Sequence, residues 1–297
     1  MCSEAEPAVD RATLSRWLSD AIGRIDDPDW ARGFQEACPI PSVDWPAYQH
    51  RLLRQDGGPT LLAGVRFKGG DRERPFVDLL AWDQPLSTTA AWTGVRQRLA
   101  RDFAPFAPRA LRVCLPGDAT PPVVESEREV DQRLVGGRLE TLRSLPRPPV
   151  PAGVVFEVAR TLDFVESFHA SFARWQEGAG PRGQEVYAAS REELETCLST
   201  GLVVCAQQQG RFAGVMAVYE GQGQRLPGTV VCELFLDASL QGRGCAPALQ
   251  RSLIEHLDAP GATVLFGTIH GTNEPSLRTA LRCGRRVVET WWFVTLE

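Results

Sequence analysis

The sequence predicts a mixed α/β protein in which helices cover the faces of a sheet. Three observations predict this fold class. Short apolar runs typical of strands alternate with segments whose apolar residues recur at helical spacing. Runs such as "TVVCELFLD" are nearly continuously apolar, which is typical of strands covered on both faces. Part of the order of elements in the C-terminal half recurs, more weakly, in the N-terminal half.

The C-terminal half gives a continuous series of elements, each with its own signal in the sequence. The series begins with a strand over Gly153–Arg160, a helix capped by Asp163, a helix over Arg191–Gly201 and a hairpin that turns at Gln209-Gly210. A strand over Thr229–Asp237 follows, and then a helix with Ala246, Leu249, Leu253, Ile254 and Leu257 on one side. The series ends with a strand over Ala262–Ile269, a helix capped by Asn273 and ended by Gly284, and a last strand "RVVETWWFVTL".

The N-terminal half repeats part of this series. Residues 59–83 predict a strand, a Gly-Gly turn and a second strand, residues 88–106 a helix, and residues 109–116 a strand. This order parallels residues 212–269. Either an internal duplication in which one ligand site has been lost, or an unrelated α/β extension, explains the parallel.

A proline-rich segment separates the two halves. The segment "PRPPVPA" contains four prolines, which exclude a long helix and a central strand. We therefore predict an N-terminal α/β domain over residues 1–145, a linker over residues 146–152 and a second domain over residues 153–297.

Composition and charge exclude several classes of protein. The chain is 43% hydrophobic and 23% charged, an ordinary balance for a globular protein with a sizeable core. With a net charge of −5 and no block of basic residues, we expect no nucleic-acid partner. No apolar run is long enough to span a bilayer, and the acidic N-terminus is unlike a signal peptide. We therefore expect no membrane association and a cytoplasmic location.

The eight cysteines predict reduced thiols. They are scattered, without paired C-x-x-C motifs, and only four histidines accompany them. This spacing does not supply the four ligands of a zinc site, so we expect no metal. Free, mostly buried thiols are typical of cytoplasmic proteins.

A glycine-rich loop is the strongest functional signal. The segment "QGRGCA", Gln241 to Ala246, follows an apolar strand and leads into a helix. The first N–H groups of a helix have no partner within it, and the helix dipole adds positive charge there. Glycines let a ligand approach the backbone, and Arg243 supplies a charged fork for phosphate oxygens. The loop therefore predicts a pyrophosphate site, although Gly242 and Gly244 also suit an ordinary tight turn.

The stretch "VVCELFLDASLQGRGCAPALQRSLIEHL" resembles the acetyl-coenzyme-A segment of the GNAT family of N-acetyltransferases. Gln241, Gly244 and Ala246 match the family pattern [Q/R]-x-x-G-x-[G/A]. Asn273 and Ser276 match the later N-x-x-[S/A] pattern. The resemblance covers the C-terminal half, whereas the N-terminal half matches only in outline, as a degenerate GNAT-like repeat.

The resemblance implies an acetyltransferase that uses acetyl-coenzyme A as co-substrate and acts by direct attack of a primary amine in a ternary complex. It implies a slot where the family's fourth strand splays from the fifth, and a backbone N–H at the splay facing the thioester oxygen. The resemblance implies that the backbone of Leu234, Phe235 and Leu236 pairs with the pantetheine arm. It implies that the pyrophosphate is bound by Gln241, Gly242, Arg243, Gly244, Cys245 and Ala246. It also implies that Asn273 and Ser276 bind the cofactor.

The candidates for the catalytic base are Glu233 and His270. Glu233 stands in an otherwise apolar strand, where a carboxylate needs a partner or a raised pKa. Glu233 is equally compatible with a charge that faces a solvated groove or pairs with an arginine. His270 follows the strand "VLFGTI" and precedes Asn273, so it is either a base near the acceptor or a capped strand end. Asn273 is a good helix cap with or without a cofactor.

One expected group is missing. Many members of the family protonate the leaving thiolate with a tyrosine seven residues after the asparagine, and that position is Ala280 here. The three tyrosines of the chain lie elsewhere in the sequence.

A coenzyme-A-binding sensor or scaffold without turnover is therefore the alternative to an acetyltransferase. An interaction protein whose glycine loop is an ordinary turn is a third possible function. The expected acceptor is a small-molecule or peptide amine, and the chain is expected to be a monomer or homodimer.

Overall fold

The computed structural model describes residues 11–54, 58–180, 183, 186–221, 226–261 and 263–296. Their helices and strands, in chain order, are α1 (Arg11–Gly23), α2 (Pro28–Ala37), β1 (Arg51–Leu53), β2 (Leu61–Phe67), β3 (Pro75–Trp82), α3 (Thr89–Asp102), β4 (Ala110–Pro116), β5 (Arg128–Arg138), α4 (Leu139–Ser144), β6 (Val154–Val158), α5 (Val165–Gly178), α6 (Arg191–Thr200), β7 (Gly201–Gln208), β8 (Arg211–Gly221), β9 (Gly228–Leu236), α7 (Cys245–His256), β10 (Val264–His270), α8 (Glu274–Arg282) and β11 (Arg286–Thr295).

The chain divides into two compact units by its internal contacts. The N-terminal unit contains Asp10–Arg133 and Glu289–Glu297, and the C-terminal unit contains Leu134–Val288. The divisions fall inside β5 and inside β11. The proline-rich residues 146–152 form neither helix nor strand, as predicted. Their role as a boundary between domains stays a prediction.

The N-terminal unit has the sheet order β1-β2-β3-β4-β11. Strands β2 and β3 are antiparallel, with Val65 opposite Val77, whereas β3 and β4 are parallel, with Asp78 opposite Arg112. Helix α3 makes the crossover between the two parallel strands, and its buried residues Trp92 and Leu99 pack in the core of this unit. The predicted strand, strand, helix and strand of this half are all confirmed.

The C-terminal unit has the order β5-β10-β9-β8-β7-β6. Strands β6 to β9 are antiparallel neighbours, and β9 and β10 are parallel. Helix α7 packs Leu249 and Leu253 on one side of the sheet. Helices α5 and α6 contribute Phe168, Phe172 and Leu194 to a second buried cluster. The apolar strands predicted here are therefore covered on both faces, which explains their nearly continuous apolar residues.

The same local order occurs in both units. An antiparallel strand pair leads into a helix and a parallel strand at β2-β3-α3-β4 and again at β8-β9-α7-β10. The parallel noted in the sequence is thus also a parallel in topology. Its origin by duplication stays a prediction.

Two details differ from the sequence predictions. Asp163 does not cap α5, because the cap is Phe164, and the Asp163 carboxylate instead accepts a hydrogen bond from the Thr161 hydroxyl at 2.8 Å. Helices α1, α2 and α4 and strands β1 and β5 were not predicted. In β5 and α4 the apolar residues are interrupted by charges and glycines. Ala262, the predicted start of a strand, lies outside the described residues. Within the described part of the chain, no helix is long and apolar enough to cross a bilayer.

Candidate functional site

Strands β9 and β10 separate soon after they pair. Their parallel register contains only Leu265 opposite Thr229 and Phe266 opposite Val230, although both strands continue for several residues. Gly267 follows the last pair, and a Cβ built on it lies 3.0 Å from the Val231 Cβ. The strands therefore approach closely at the apex and then diverge, which creates a V-shaped slot.

A β-bulge lies beside the apex. The register between β8 and β9 shifts between Ala217, opposite Glu233, and Val218, opposite Val231. Cys232 is thus the extra residue of β9. A bulge bends its strand and increases the local twist. We infer that this bend turns β9 away from β10.

The alternation of the ladder decides which backbone groups face the slot. The N–H of Asp237 donates to the Ala213 carbonyl of β8 at 2.9 Å. Because successive residues of a strand direct their polar groups to opposite sides, Leu234 and Leu236 face the slot and Phe235 faces β8. The Phe235 side chain packs in the core against Phe168.

The glycine-rich loop forms the N-terminus of α7 at the end of β9. Gly242 and Gly244 have φ of 71° and 77°, and Gly244 is the N-cap. No described atom lies within 4 Å of a Cβ built at either position. The loop is tied to β9 because the Gln241 side-chain amide donates to the Leu236 carbonyl at 2.8 Å. The exposed N-terminus of a helix of 12 residues thus stands at one end of the slot.

The other residues of the loop have distinct surroundings. The exposed Arg243 guanidinium donates to the Ser239 carbonyl at 3.2 Å. Cys245 is buried in the core of the unit, and burial raises the pKa of its thiol. Cys245 therefore packs rather than reacts, while Arg243 stays at the surface beside the loop.

A cavity of about 260 Å³ lies at the apex of the slot. Its polar side chains are Glu193 and Thr196 of α6, Tyr219 of β8 and Thr268 of β10. Among the described lining residues, Glu193 is the one carboxylate and none is basic. The lining consists of Leu134, Glu193, Thr196, Tyr219, Val230, Val231, Cys232, Phe266, Gly267 and Thr268. A neutral or cationic small group fits these surroundings better than an anion does.

Comparison with known proteins identifies the family of the segment that contains the slot and the loop. Residues 164–284 match the model of the acetyltransferase (GNAT) family. This segment is a GNAT domain. It contains α5 to α8, the slot between β9 and β10, and the glycine-rich loop. The family and the fold support acyl transfer as the general activity of the domain.

Solved structures resemble the chain over almost its whole length. A GNAT-family acetyltransferase from Colwellia psychrerythraea has a TM-score of 0.52 at 11% identity and covers 99% of this chain and 100% of its own. A GCN5-related N-acetyltransferase from Sphaerobacter thermophilus has a TM-score of 0.51 at 13% identity and covers 99% and 96%. At such identities the likeness shows the fold alone. No curated protein matches the sequence. The predicted mixed α/β GNAT fold is thereby confirmed.

Glu233 lies on β9 of the GNAT domain, next to the bulge. Its carboxylate accepts the Ala189 N–H at 3.0 Å and the Leu234 N–H at 2.9 Å. Burial raises the pKa of Glu233 to about 7, although both hydrogen bonds oppose the rise and Glu193 adds repulsion. The carboxyl group therefore exchanges a proton near neutral pH, as a general base must. Its contacts also show a structural role, since it anchors the segment before α6.

His270 and Asn273 lie at the end of β10, on the same sheet edge as the loop. The His270 Nδ1 is 2.9 Å from the Thr272 hydroxyl, and the Asn273 side chain caps α8 by accepting the Ser276 N–H at 3.4 Å. His270 is two residues, or about 7 Å of strand, beyond the cavity residue Thr268. His270, Asn273 and Ser276 therefore lie at the end of β10 and the start of α8, and none of them is among the described residues that line the cavity.

The tyrosine position of the family is closed in this chain. Ala280 is fully buried in a cluster with Val135, Ile269 and Leu277. A different tyrosine, Tyr219 of β8, lines the cavity. The sequence placed Tyr219 elsewhere because its position depends on strand pairing, namely on its place opposite Val230 in the β8–β9 register.

Proposed function

We propose that the GNAT domain transfers an acetyl group from acetyl-coenzyme A to a primary amine by direct attack in a ternary complex. The observation that carries the proposal is the end of β9–β10 pairing at Val230 and Phe266, with an open helix N-terminus at one end of the resulting slot and a cavity at the other. A long donor that carries a pyrophosphate and a reactive tip matches this arrangement.

The donor is held by backbone groups in this proposal. The first N–H groups of α7 and the loop from Gly242 to Ala246 bind the pyrophosphate, because Gly244 has no side chain to cap them. The Leu234 carbonyl and the Leu236 N–H pair with the pantetheine arm as an added strand pairs with a sheet edge. The Leu234 N–H already donates to Glu233, and the Leu236 carbonyl already accepts from Gln241. Phe235 takes part only through the packing of its side chain. Asn273 and Ser276 border the loop end of the slot.

The acceptor amine enters the cavity in this proposal. Glu193 supplies negative charge at the cavity and favours an approaching ammonium group. Glu233 takes the proton that the ammonium group must lose before it attacks, since its pKa lies near neutrality. The acceptor class is a small-molecule or peptide amine.

Protonation of the leaving thiolate is assigned to Tyr219. Its side chain lines the cavity, where the reactive tip of the donor lies in this arrangement. His270 is the second candidate for this proton donor. Because it lies beyond the cavity, its proton would reach the thiolate only through other groups between them.

A coenzyme-A-binding module without turnover is the second candidate function. The burial of Ala280 favours it, because the usual tyrosine position is filled by core packing.

For either function we propose that the protein acts in the cytoplasm as a monomer or homodimer and binds no nucleic acid. The seven cysteines of the described residues carry free thiols, which agrees with a reducing compartment.

The testing experiment is calorimetric titration with acetyl-coenzyme A, followed by an amine panel in which thiol release and product mass are measured. Gly244→Trp should abolish binding by filling the loop. Gly210→Trp is the matched control, because Gly210 also has a positive φ of 72° and open space but lies in the β7–β8 hairpin.

Each outcome decides between the candidates. Binding at one site, lost only in Gly244→Trp and followed by transfer to an amine, supports the acetyltransferase. Binding without transfer or thioester hydrolysis across the panel supports the module without turnover. Absence of heat in the wild-type protein overturns both and leaves the interaction protein.

A further inference from the structure

An arginine is buried in the C-terminal unit, and no carboxylate of the described residues forms an ion pair with it. Arg285, which follows α8, is 3% exposed. Burial lowers its pKa to about 10, so the guanidinium keeps its positive charge at neutral pH. Cys283 does not compensate this charge, because burial raises the pKa of its thiol to about 11. A buried charge is costly unless a counter-charge lies beside it.

Arg285 contacts a buried glutamine of α7. Its Nη2 donates to the Oε1 of Gln250 at 2.7 Å, and Gln250 is 0% exposed. This contact fixes the orientation of the amide, because a guanidinium has only donors and must face the amide oxygen. The NH₂ group of Gln250 therefore needs an acceptor other than Arg285.

Two nitrogens at this contact lack an acceptor. The Arg285 Nε and the Gln250 Nε2 are buried, and neither has a hydrogen-bond partner within the described part of the chain. Each nitrogen belongs to the same planar group as an atom of the 2.7 Å contact. Since two such atoms of one planar group are about 2.3 Å apart, the two nitrogens are at most about 7 Å apart, and closer unless the groups are fully extended. One acceptor between them can therefore serve both.

The backbone encloses the Arg285 side chain. Gly284 ends the turn after α8 with a φ of 86°, and the Arg285 N–H donates to the Ala280 carbonyl at 3.1 Å. A Cβ built on Gly284 would lie 2.4 Å from the Leu145 Cδ1, so the turn packs directly against the residue that ends α4. Arg285 thus does not extend its charged group to the surface, as long basic side chains usually do.

We propose that Arg285 and Gln250 form a binding site for one small monovalent anion of the size of chloride. Such an anion accepts hydrogen bonds from both nitrogens and neutralises the guanidinium. A water molecule would accept the same hydrogen bonds, but it would leave the charge uncompensated and bring two protons that need acceptors. The burial of both side chains favours a monatomic anion over a larger one such as phosphate.

The anion would join α7 to the turn that follows α8. Gln250 lies less than two helical turns from Gly244, the N-cap of α7. Binding would therefore stabilise the packing of the helix that begins at the glycine-rich loop. The inference rests on the side-chain contacts of the C-terminal unit and is independent of the proposed acetyltransferase activity.

The test is thermal unfolding of the full-length protein in sodium chloride and in sodium gluconate at equal ionic strength. A ligand that binds only the folded state stabilises it, so the unfolding midpoint should be at least about 2 °C higher in about 0.5 M chloride than in gluconate. Arg285→Met should remove this difference, because it removes the charge. Gln250→Glu should also remove it, because the new carboxylate supplies the counter-charge at the same contact.

A neighbouring arginine provides the control. Arg286→Met changes an exposed residue and should keep the difference between the two salts. Gln250→Glu should be at least as stable in gluconate as the wild-type protein, since its own carboxylate replaces the anion. Circular dichroism shows that each variant is folded before its midpoint is compared, and Gln250→Glu decides the question if Arg285→Met does not fold.

Two results would overturn the proposal. Equal midpoints of the wild-type protein in the two salts would show that chloride does not bind. A difference of the same size in the wild-type protein and in Gln250→Glu would show a general effect of the salt rather than a site. Calorimetry with acetyl-coenzyme A on the same samples tests the proposed function separately, so failure of either proposal leaves the other in place.

Discussion

Glu233 of β9 accepts the N–H of Ala189 at 3.0 Å, and so joins the segment before α6 to the strand that borders the slot. The second oxygen of the same carboxylate accepts the N–H of Leu234 at 2.9 Å. One side chain therefore holds the segment that leads into α6, whose Glu193 and Thr196 line the cavity, against the strand at the edge of the slot. Burial raises the pKa of this carboxyl group to about 7.

Glu233→Gln should lower kcat by about 10²–10⁴-fold if Glu233 is the base. Since burial raises the pKa of Glu233 to about 7, wild-type activity should rise with pH through that value. The glutamine variant should lose this rise, and pH profiles of kcat/KM measure it. Glu193→Gln, which changes the carboxylate on α6, should keep the rise. An unchanged profile in Glu233→Gln assigns the base elsewhere.

Tyr219→Phe should lower kcat by roughly 10²-fold and leave the Kd of acetyl-coenzyme A unchanged, because only the proton for the thiolate is lost. Steady-state kinetics beside calorimetry separate the two quantities. Tyr187→Phe is the control, since Tyr187 is 76% exposed. Equal activity of Tyr219→Phe and wild type would remove Tyr219 from the mechanism.

Gly244→Ala should weaken acetyl-coenzyme A binding by about tenfold. A Cβ at the φ of 77° costs roughly 1–2 kcal/mol, which shifts the loop out of its ligand-binding conformation. Gly210→Ala has the same conformational cost in the β7–β8 hairpin and should lower stability without changing affinity. If both variants bind as wild type, Gly244 does not shape a binding site.

Arg143→Ala should lower the stability of the GNAT domain by about 2–4 kcal/mol. Its guanidinium donates to the carbonyls of Ile254, Leu257 and Ala259 at the end of α7, and its loss leaves these acceptors without that donor. Urea denaturation measures the change. Arg147→Ala removes an exposed ion pair with Glu255 and should cost less than about 1 kcal/mol.

The N-terminal unit should lose stability in acid through His50. This imidazole is 2% exposed, and burial, with repulsion by Arg66, lowers its pKa from 6.5 to about 4. The unfolded chain therefore binds the proton first, so the stabilisation is complete above pH 6.5 and declines as the pH falls toward 4. The loss should reach at most about 3 kcal/mol. Denaturation at several pH values should show a shallower decline in His50→Gln, and an equal decline contradicts the assignment.

The sequence by itself determined the local elements and the loop. Apolar runs and helical spacing located almost every helix and strand of the C-terminal unit, because these periodicities reflect burial within one element. The positions of Gly242 and Gly244 before a helix predicted an open N-terminus, because the required φ and the missing cap are properties of neighbouring residues.

Tertiary structure decided what these elements bring together. The splay after Val230, the bulge at Cys232 and the position of Tyr219 at the cavity depend on the pairing of different strands. A shift of one residue in that register reverses which side chains and backbone groups face the slot. For this reason the resemblance implied that the Phe235 backbone pairs with the donor, whereas the register of β9 directs that backbone toward β8. The pairing of β8 with β9 likewise places Tyr219 at the cavity.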